Sequence, residues 1–349
     1  MQNTVSRRDF LKVGGAAAGA LALGSFVPPA AAHAARKAGH LNAQGDGYIA
    51  SLCEMCVWRC GLLAKIQDGR VVKLDGNPDH PHSKGRLCPR GQAGIMTTYD
   101  PDRVLSPLVR VGQRGEGKFR KATWDEALDI VAENMLKIKE AHGPEAMVFS
   151  STHSLSQTQF ENLLYGFGSP NYGTQRSLCF NAMVTAFQLT YGVEEPSRDY
   201  SNVEYILLTG RNLAEAISNS ETGELIEAID RGAKLVYLDP RYTKTASKAA
   251  EWIPIRPGTD LAFLLAMLRV IVTEKLGSCG FIKEFTVGCE QLPTHLAEYT
   301  PEWAEQKTGV PAATIDRIAR EFAAAKPNAM AHPGWRTSNF VNSFQTERT

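Results

Sequence analysis

Four cysteines, Cys53, Cys56, Cys60 and Cys88, limit the fold of this chain more than any other feature, through the spacing C-x2-C-x3-C-x27-C. Three of them stand within eight residues in CEMCVWRC, and the fourth follows in GRLCPRG. The chain carries seven cysteines, an odd number that rules out complete intramolecular disulfide pairing. Clustered sulfurs of this kind read as ligands rather than as staples. Structural zinc sites tend to use two separated C-x2-C knuckles or to mix cysteine with histidine, and no histidine lies inside the tight cluster. Three cysteines on one loop can take three corners of a cubane while a distant one closes the fourth, and the pair Cys88-Pro89 matches the ending of bacterial cluster-binding runs. The spacing ranks a [4Fe–4S] cluster above zinc and far above two disulfides.

Residues 1–34 read as a targeting segment and are set aside from the fold. Arg7 and Arg8 precede an uncharged, Gly/Ala-rich run from Val13 to Val27, which is too short and too weakly apolar for a comfortable membrane span. Ala32-His33-Ala34 offers small residues around a cleavage point. The paired arginines, followed by Phe10, Leu11 and Lys12, predict the twin-arginine route and a periplasmic address, or the outer face of the cytoplasmic membrane. That route carries folded proteins, so the leader also predicts a cofactor inserted before export.

At 349 residues and 43% hydrophobic, the chain has enough material for two or three cores, and its net charge of +1 supplies no basic field for nucleic acid. Residues 35–47 are small and polar, as in a linker. A cysteine-bearing domain is expected over 48–105, with a hairpin in KIQDGRVVKL turning at Asp68-Gly69. An α/β region is expected over 106–349. Thr123 and Glu126 form a capping box ahead of a helix whose apolar face includes Trp124, Leu128, Val131 and Met135. AMVF (146–149), VEYILL (203–208) and KLVYL (234–238) read as buried strands. The last two, with a helix over 221–231 between them, predict a parallel βαβ unit with ligands at its strands' carboxyl ends. TGRN and Asp239-Pro240-Arg241 lie at those ends, and RPGTD then opens an apolar helix with Thr259 as N-cap.

CEMCVWRC with GRLCPRGQAG resembles the N-terminal iron–sulfur domain of the molybdopterin oxidoreductases that carry a bis-guanine-dinucleotide cofactor. LLTGRNLAEA, YLDPRYTKTASKA and IPIRPGTDLAFLLAM resemble cofactor-binding segments of the same family, in the same order. The resemblance implies an α/β fold: a small N-terminal iron–sulfur domain, then Rossmann-like parallel-sheet domains. The implied cofactors are a [4Fe–4S] cluster on Cys53, Cys56, Cys60 and Cys88 and a bis-molybdopterin guanine dinucleotide with molybdenum, or tungsten. Phosphates want backbone N–H groups at glycine turns and helix starts, here Gly210, Gly258 and Thr259. A carboxylate can accept the paired N–H groups of guanine, and the resemblance gives Asp239 and Asp260 that place, with Asn212, Glu215 and Arg241 near them. Asp260 is equally a first-turn acid favoured by a helix dipole.

The resemblance further implies Cys179, in QRSLCFNAM, as protein ligand to the metal, and Arg90 as a bridge between cluster and pterin. A lone cysteine between Leu and Phe is otherwise a small buried hydrophobe. His153 and Arg176 are possible contacts for a substrate anion; Cys279 and Cys289 read as structural. No G-x-G-x-x-G is present, so nicotinamide binding has no support. Among subfamilies, thiosulfate, polysulfide and tetrathionate reductase catalytic subunits are the nearest in pattern, with formate dehydrogenase and periplasmic nitrate reductase as alternatives. Such a subunit implies a ferredoxin-like iron–sulfur partner and a quinone-linked membrane anchor. Relatives are longer and close over the cofactor with a C-terminal domain, so the family fold is expected to be incomplete here. Three readings follow: a molybdenum reductase subunit, a cluster-only electron-transfer subunit, or an inactive truncated product.

Overall fold

A computed structural model describes residues 46–349, apart from 152–156, 216–218, 333 and 335–339. The expected leader, nearly all of the linker, and His153 lie outside the described residues. Two compact units divide the chain, Met1–Leu105 and Ser106–Thr349.

In the first unit, β1 (Gly47–Leu52), β2 (Gly61–Gln67) and β3 (Arg70–Gly76) form an antiparallel sheet in that order. The β2–β3 hairpin turns at Asp68 and Gly69, both at positive φ (51° and 71°). That backbone has the twist a two-residue hairpin favours, and an Asp-Gly pair adopts it at little cost. β2 buries Gly61, Leu62 and Ala64. Leu62 and Ala64 pack with Cys53, Cys60 and Leu87, so two of the five buried apolar residues in this small core are cysteines. After β3 the chain returns through two short helices, α1 (Pro89–Gln92) and α2 (Gly94–Thr98).

The second unit opens with the β4 (Leu108–Arg110) and β5 (Phe119–Lys121) ribbon and helix α3 (Trp124–His142). Thr123 Oγ1 accepts the Glu126 backbone N–H at 3.1 Å, half of the expected capping box. The Glu126 carboxylate takes the Arg120 guanidinium. Most of the predicted apolar face of α3 is exposed: Trp124, Leu128 and Val131 are each more than half accessible, while Met135 packs against Phe149, Leu164 and Phe167.

β6 (Phe149–Ser151) and β7 (Tyr172–Thr174) pair in parallel, with α4 (Gln157–Phe167) between them. The strand expected over 146–149 starts at Phe149, because Pro144–Ala146 takes a 3-10 turn whose φ is set by proline. Next come α5 (Gln175–Cys179) and α6 (Asn181–Tyr191).

The central sheet contains β8 (Tyr205–Thr209), β9 (Lys234–Leu238), β10 (Glu251–Ile253) and β11 (Ala329–His332), ordered β10-β9-β8-β11 and parallel throughout. α7 (Asn219–Asp230) makes the β8–β9 crossover. Helices α8 (Asp260–Thr273), α9 (Cys279–Phe285), α10 (Leu292–His295), α11 (Pro301–Thr308) and α12 (Ala312–Ala324) lie between β10 and β11, and α13 (Ser343–Arg348) follows β11. The sheet is buried on both faces, as parallel sheets are. Tyr205, Leu207, Val236 and Leu238 join α8 and α12 on one side; Ile206, Leu208, Leu235 and Tyr237 join α7 on the other. The period of two along each strand produces this split.

The chain adds β9 and β10 on one side of β8 and β11 on the other. That reversal is a topological switch point, and in open parallel sheets ligands sit at the carboxyl ends of the strands beside it. Gly334 leaves β11 so close to the end of β8 that a Cβ there would stand 2.0 Å from the Thr209 carbonyl oxygen. Among the described residues, no helix is long and apolar enough to cross a membrane.

Candidate functional site

The thiol cluster is built from local backbone. The Cys53 N–H donates to the Cys60 carbonyl at 2.8 Å, closing the loop that carries the first three cysteines. Gly91 fits between two of the sulfurs: a Cβ there would lie 3.3 Å from Cys53 Sγ and 2.5 Å from a Leu87 methyl, while its backbone N–H bonds Cys88. None of the four cysteines is in a disulfide; Cys53 and Cys60 are buried, Cys56 and Cys88 half-buried. Burial pushes the Cys53 and Cys60 thiols up, and each is raised further by the other cysteines. Cys88 behaves differently. Burial raises it, but the Gly91 amide and the Arg90 guanidinium and amide together carry it below the ordinary thiol value.

The sequence-expected residues Cys53, Cys56, Cys60 and Cys88 therefore share one electrostatic neighbourhood, and Arg90 is engaged with the last of them. Among the described residues, no group of three or more His, Cys, Asp or Glu side chains is arranged to hold a single metal ion. Four neighbouring cysteine sulfurs, with donors already directed at one of them, fit a multi-iron cluster.

A second constellation lies in the other unit, where β8 and β9 end. Asn212 donates through Nδ2 to Glu215, and its Oδ1 accepts the Thr245 hydroxyl at 2.8 Å. Arg241 Nη2 approaches Glu215 Oε2 at 3.5 Å. Asp239 accepts the Tyr237 hydroxyl and the Arg241 backbone N–H, each at 2.8 Å. Gly210 turns out of β8 at φ 56°. Asp260, at the start of α8, is only 8% exposed; burial pushes its carboxyl up, its own amide opposes this, and Asp239 raises it again. That charge coupling ties Gly258-Thr259-Asp260 to the β9 end. A buried carboxylate with so little internal satisfaction fits a ligand bearing paired N–H donors. Thr259 holds the N-cap position, but its hydroxyl donates to the Arg256 carbonyl at 2.7 Å and leaves the helix amides uncapped.

Cys179 ends α5 half-buried. No described hydrogen bond or charge contact joins it to the β8–β9 constellation. Arg176, expected near a substrate anion, is paired with Glu194 through both terminal guanidinium nitrogens, Nη1 and Nη2. Cys279 is exposed, and Cys289 Sγ meets the Thr286 hydroxyl at 3.0 Å.

A third feature has no counterpart in the sequence reading. Glu221, in the first turn of α7, is buried and takes Arg211 Nη2 at 2.5 Å, His332 Nε2 at 2.8 Å, Tyr200 OH at 3.3 Å and Arg198 Nε at 3.4 Å. Burial alone would raise this carboxyl, yet the His332 bond and the two arginines hold it at about 2. Burial pushes His332 below its ordinary value. Arg211 lies within the TGRN segment, so the network anchors the loop that carries Gly210 and Asn212. Its partners come from positions 198 to 332 and meet because β11 pairs with β8; no local spacing announces them.

Residues 103–340 match the molybdopterin oxidoreductase family, and residues 47–100 match the molybdopterin oxidoreductase Fe4S4 domain. The chain belongs to the molybdopterin oxidoreductase family. Its cofactors are accordingly molybdopterin and a [4Fe–4S] cluster. A twin-arginine translocation signal matches residues 4–24 and directs this molybdopterin oxidoreductase chain to the periplasm.

The thiosulfate reductase molybdopterin-containing subunit PhsA of Salmonella typhimurium is 40% identical over 96% of this chain and 44% of its own length. The dimethyl sulfoxide reductase DmsA of Haemophilus influenzae is 33% identical over 95% of the chain and 46% of its own length. Acetylene hydratase from Pelobacter acetylenicus superposes with a TM-score of 0.78 at 31% identity, covering 85% of this chain and 42% of that one. The chain thus spans a little under half the length of these relatives.

Proposed function

We propose that this chain is the cluster-bearing and cofactor-binding part of a molybdenum reductase catalytic subunit whose substrate is a sulfur oxyanion or polysulfide. The observation that carries the substrate class is the 40% identity to a thiosulfate reductase subunit along 96% of the chain, against 33% to a dimethyl sulfoxide reductase and 30% to a nitrate reductase. The likeness to acetylene hydratase supports the framework alone, because one framework hosts different reactions.

In this reading Cys53, Cys56, Cys60 and Cys88 hold the cluster and Cys179 ligates the metal. Gly210, Asn212, Glu215, Asp239, Arg241, Gly258, Thr259 and Asp260 hold the nucleotide tails. Glycine turns offer amides to phosphate, and buried carboxylates accept guanine N–H groups. Arg90, fixed on Cys88, keeps a positive charge at the cluster rim, where it favours the reduced, more negative state and lies on the electron route toward the pterin. When bound, the cofactor supplies a two-electron centre and the cluster passes electrons singly. Thiosulfate takes up two electrons and two protons as its S–S bond breaks, releasing hydrosulfide and bisulfite. The electrons come from a ferredoxin-like partner subunit tied to a quinone-linked membrane anchor.

Reduced-viologen oxidation by the complete enzyme with its partner subunits tests this. Thiosulfate, tetrathionate or polysulfide should be the best acceptor, and a preference for dimethyl sulfoxide or nitrate, or formate oxidation, would overturn the assignment. Metal analysis should find about four irons and one molybdenum or tungsten per catalytic subunit; iron alone would leave only a cluster-bearing electron carrier. Cys179→Ala should alter the molybdenum EPR signal, and an unchanged signal removes that residue from the metal.

A further inference from the structure

We propose that the Trp58 indole N–H donates a hydrogen bond to a sulfur of the iron–sulfur cluster and thereby raises the cluster's reduction potential. The inference rests on the assignment of Cys53, Cys56, Cys60 and Cys88 as its ligands and adds a residue which that assignment does not contain.

Trp58 Nε1 is shielded from solvent and has no hydrogen-bond acceptor among the described residues. Indole nitrogen is a donor only, and native proteins leave few buried donors unmet, because each forfeits its hydration for nothing in return. The ring belongs to the small core of the first unit, packed against the group that contains Cys53 and Cys60. Its plane is set by His82, stacked at 5.5 Å between centroids with an interplanar angle of 9°. Position reinforces packing: Trp58 is two residues from both Cys56 and Cys60, so the loop that directs those thiols also fixes the indole.

The acceptors such a donor lacks are the ones a cluster brings, namely its inorganic sulfides. At Cys88 the described donors to sulfur are Arg90 and Gly91, and the described backbone donors to Cys53 and Cys60 come from Met55 and from Cys60 itself. An indole N–H would add a further side-chain donor to this set. A hydrogen bond to a cluster sulfur withdraws charge and stabilises the reduced, more negative cluster.

The test uses the full chain purified without oxygen, with cluster potential followed by EPR during a redox titration, for wild type and Trp58→Phe. Phenylalanine keeps an aromatic face for His82 and removes the N–H. The variant should retain its iron and titrate at a more negative potential. In parallel, wild type labelled with 15N in its indoles should show nitrogen hyperfine coupling to the reduced cluster by pulsed EPR. That coupling should vanish in Trp58→Phe, which assigns it among the five tryptophans. Equal potentials, or absent nitrogen coupling, would overturn the proposal. Should the variant lose its cluster, absent nitrogen coupling in the labelled wild type would still overturn the proposal, and coupling there would support it, because Trp58 is the one tryptophan in residues 1–105. A wild-type chain without iron would remove the ligand assignment, an outcome distinct from a cluster indifferent to Trp58.

Discussion

The thiol pocket of the first unit and the Glu221 network of the second are both buried polar centres, yet they are finished in opposite ways. Around Glu221, four partners from the same unit converge on one carboxylate and satisfy that acceptor, although Arg198 Nε, 3.4 Å away, makes no hydrogen bond among the described residues. Around Cys53 and Cys60, burial raises the thiols and Trp58 Nε1 finds no acceptor. The carboxylate of one centre is met by the protein; the sulfurs of the other are met by what they bind. The cores differ correspondingly: one apolar cluster of the second unit has fifteen buried residues among those described, whereas that of the first has five, two of them cysteines. A core that small is where metal binding becomes part of folding free energy.

The largest effect should follow from taking the iron away. Chelation under reducing conditions, read by hydrogen exchange, should abolish protection of the β2–β3 amides while leaving β8 and β9 protected. Equal loss in both units would erase the contrast. Next in size is Glu221→Gln, which keeps the shape but leaves Arg211 buried without its counter-charge. It should destabilise the second unit by about 3–5 kcal/mol, measured by urea unfolding, with the β2–β3 amides unaffected.

The same network sets a pH dependence. Glu221 is held at about 2 against an ordinary 4.5, so an unfolded chain takes up a proton before the folded chain does. Its contribution is present above pH 4.5 and is lost as pH falls toward about 2, worth about 3 kcal/mol in total. His332 is also depressed, so it adds a loss with the same sign that begins as pH drops below its ordinary 6.5. Acid unfolding monitored in the second unit should steepen below pH 4.5, and Glu221→Gln should remove that steepening.

What the sequence disclosed follows the same division. Cys53, Cys56 and Cys60 are visible because their geometry is local, as is the Asp68-Gly69 turn. The β8–α7–β9 unit is visible because two apolar runs flank a helical pattern. The Glu221–His332 bond spans 111 residues and exists only once β11 has docked on β8; residue types alone cannot foretell that. The exposed face of α3 shows the converse, since an apolar period says that a helix has a sticky side without saying what covers it. Thr259 illustrates a finer limit: the cap position is right, but the hydroxyl has a competing carbonyl at Arg256.

The smallest predicted effect concerns a residue between the two extremes. Asp260 belongs to the well-packed unit, yet its carboxyl, like the thiols, is raised by burial. An acid whose folded pKa is raised costs stability at neutral pH, where the unfolded chain carries the charge more easily. The bond to its own amide offsets part of that cost, but the net direction is upward, so desolvation and Asp239 outweigh it. Asp260→Asn should therefore raise the Tm of the cofactor-free chain, by the equivalent of roughly 0.5–1 kcal/mol. The same change should lower the guanine nucleotide released on denaturation, because an amide presents one acceptor and two donors to a partner that offers N–H groups. A destabilised variant with full nucleotide content would make Asp260 a helix-start acid and nothing more. A stabilised variant with depleted nucleotide would show that the second unit, too, keeps one group in reserve for its ligand.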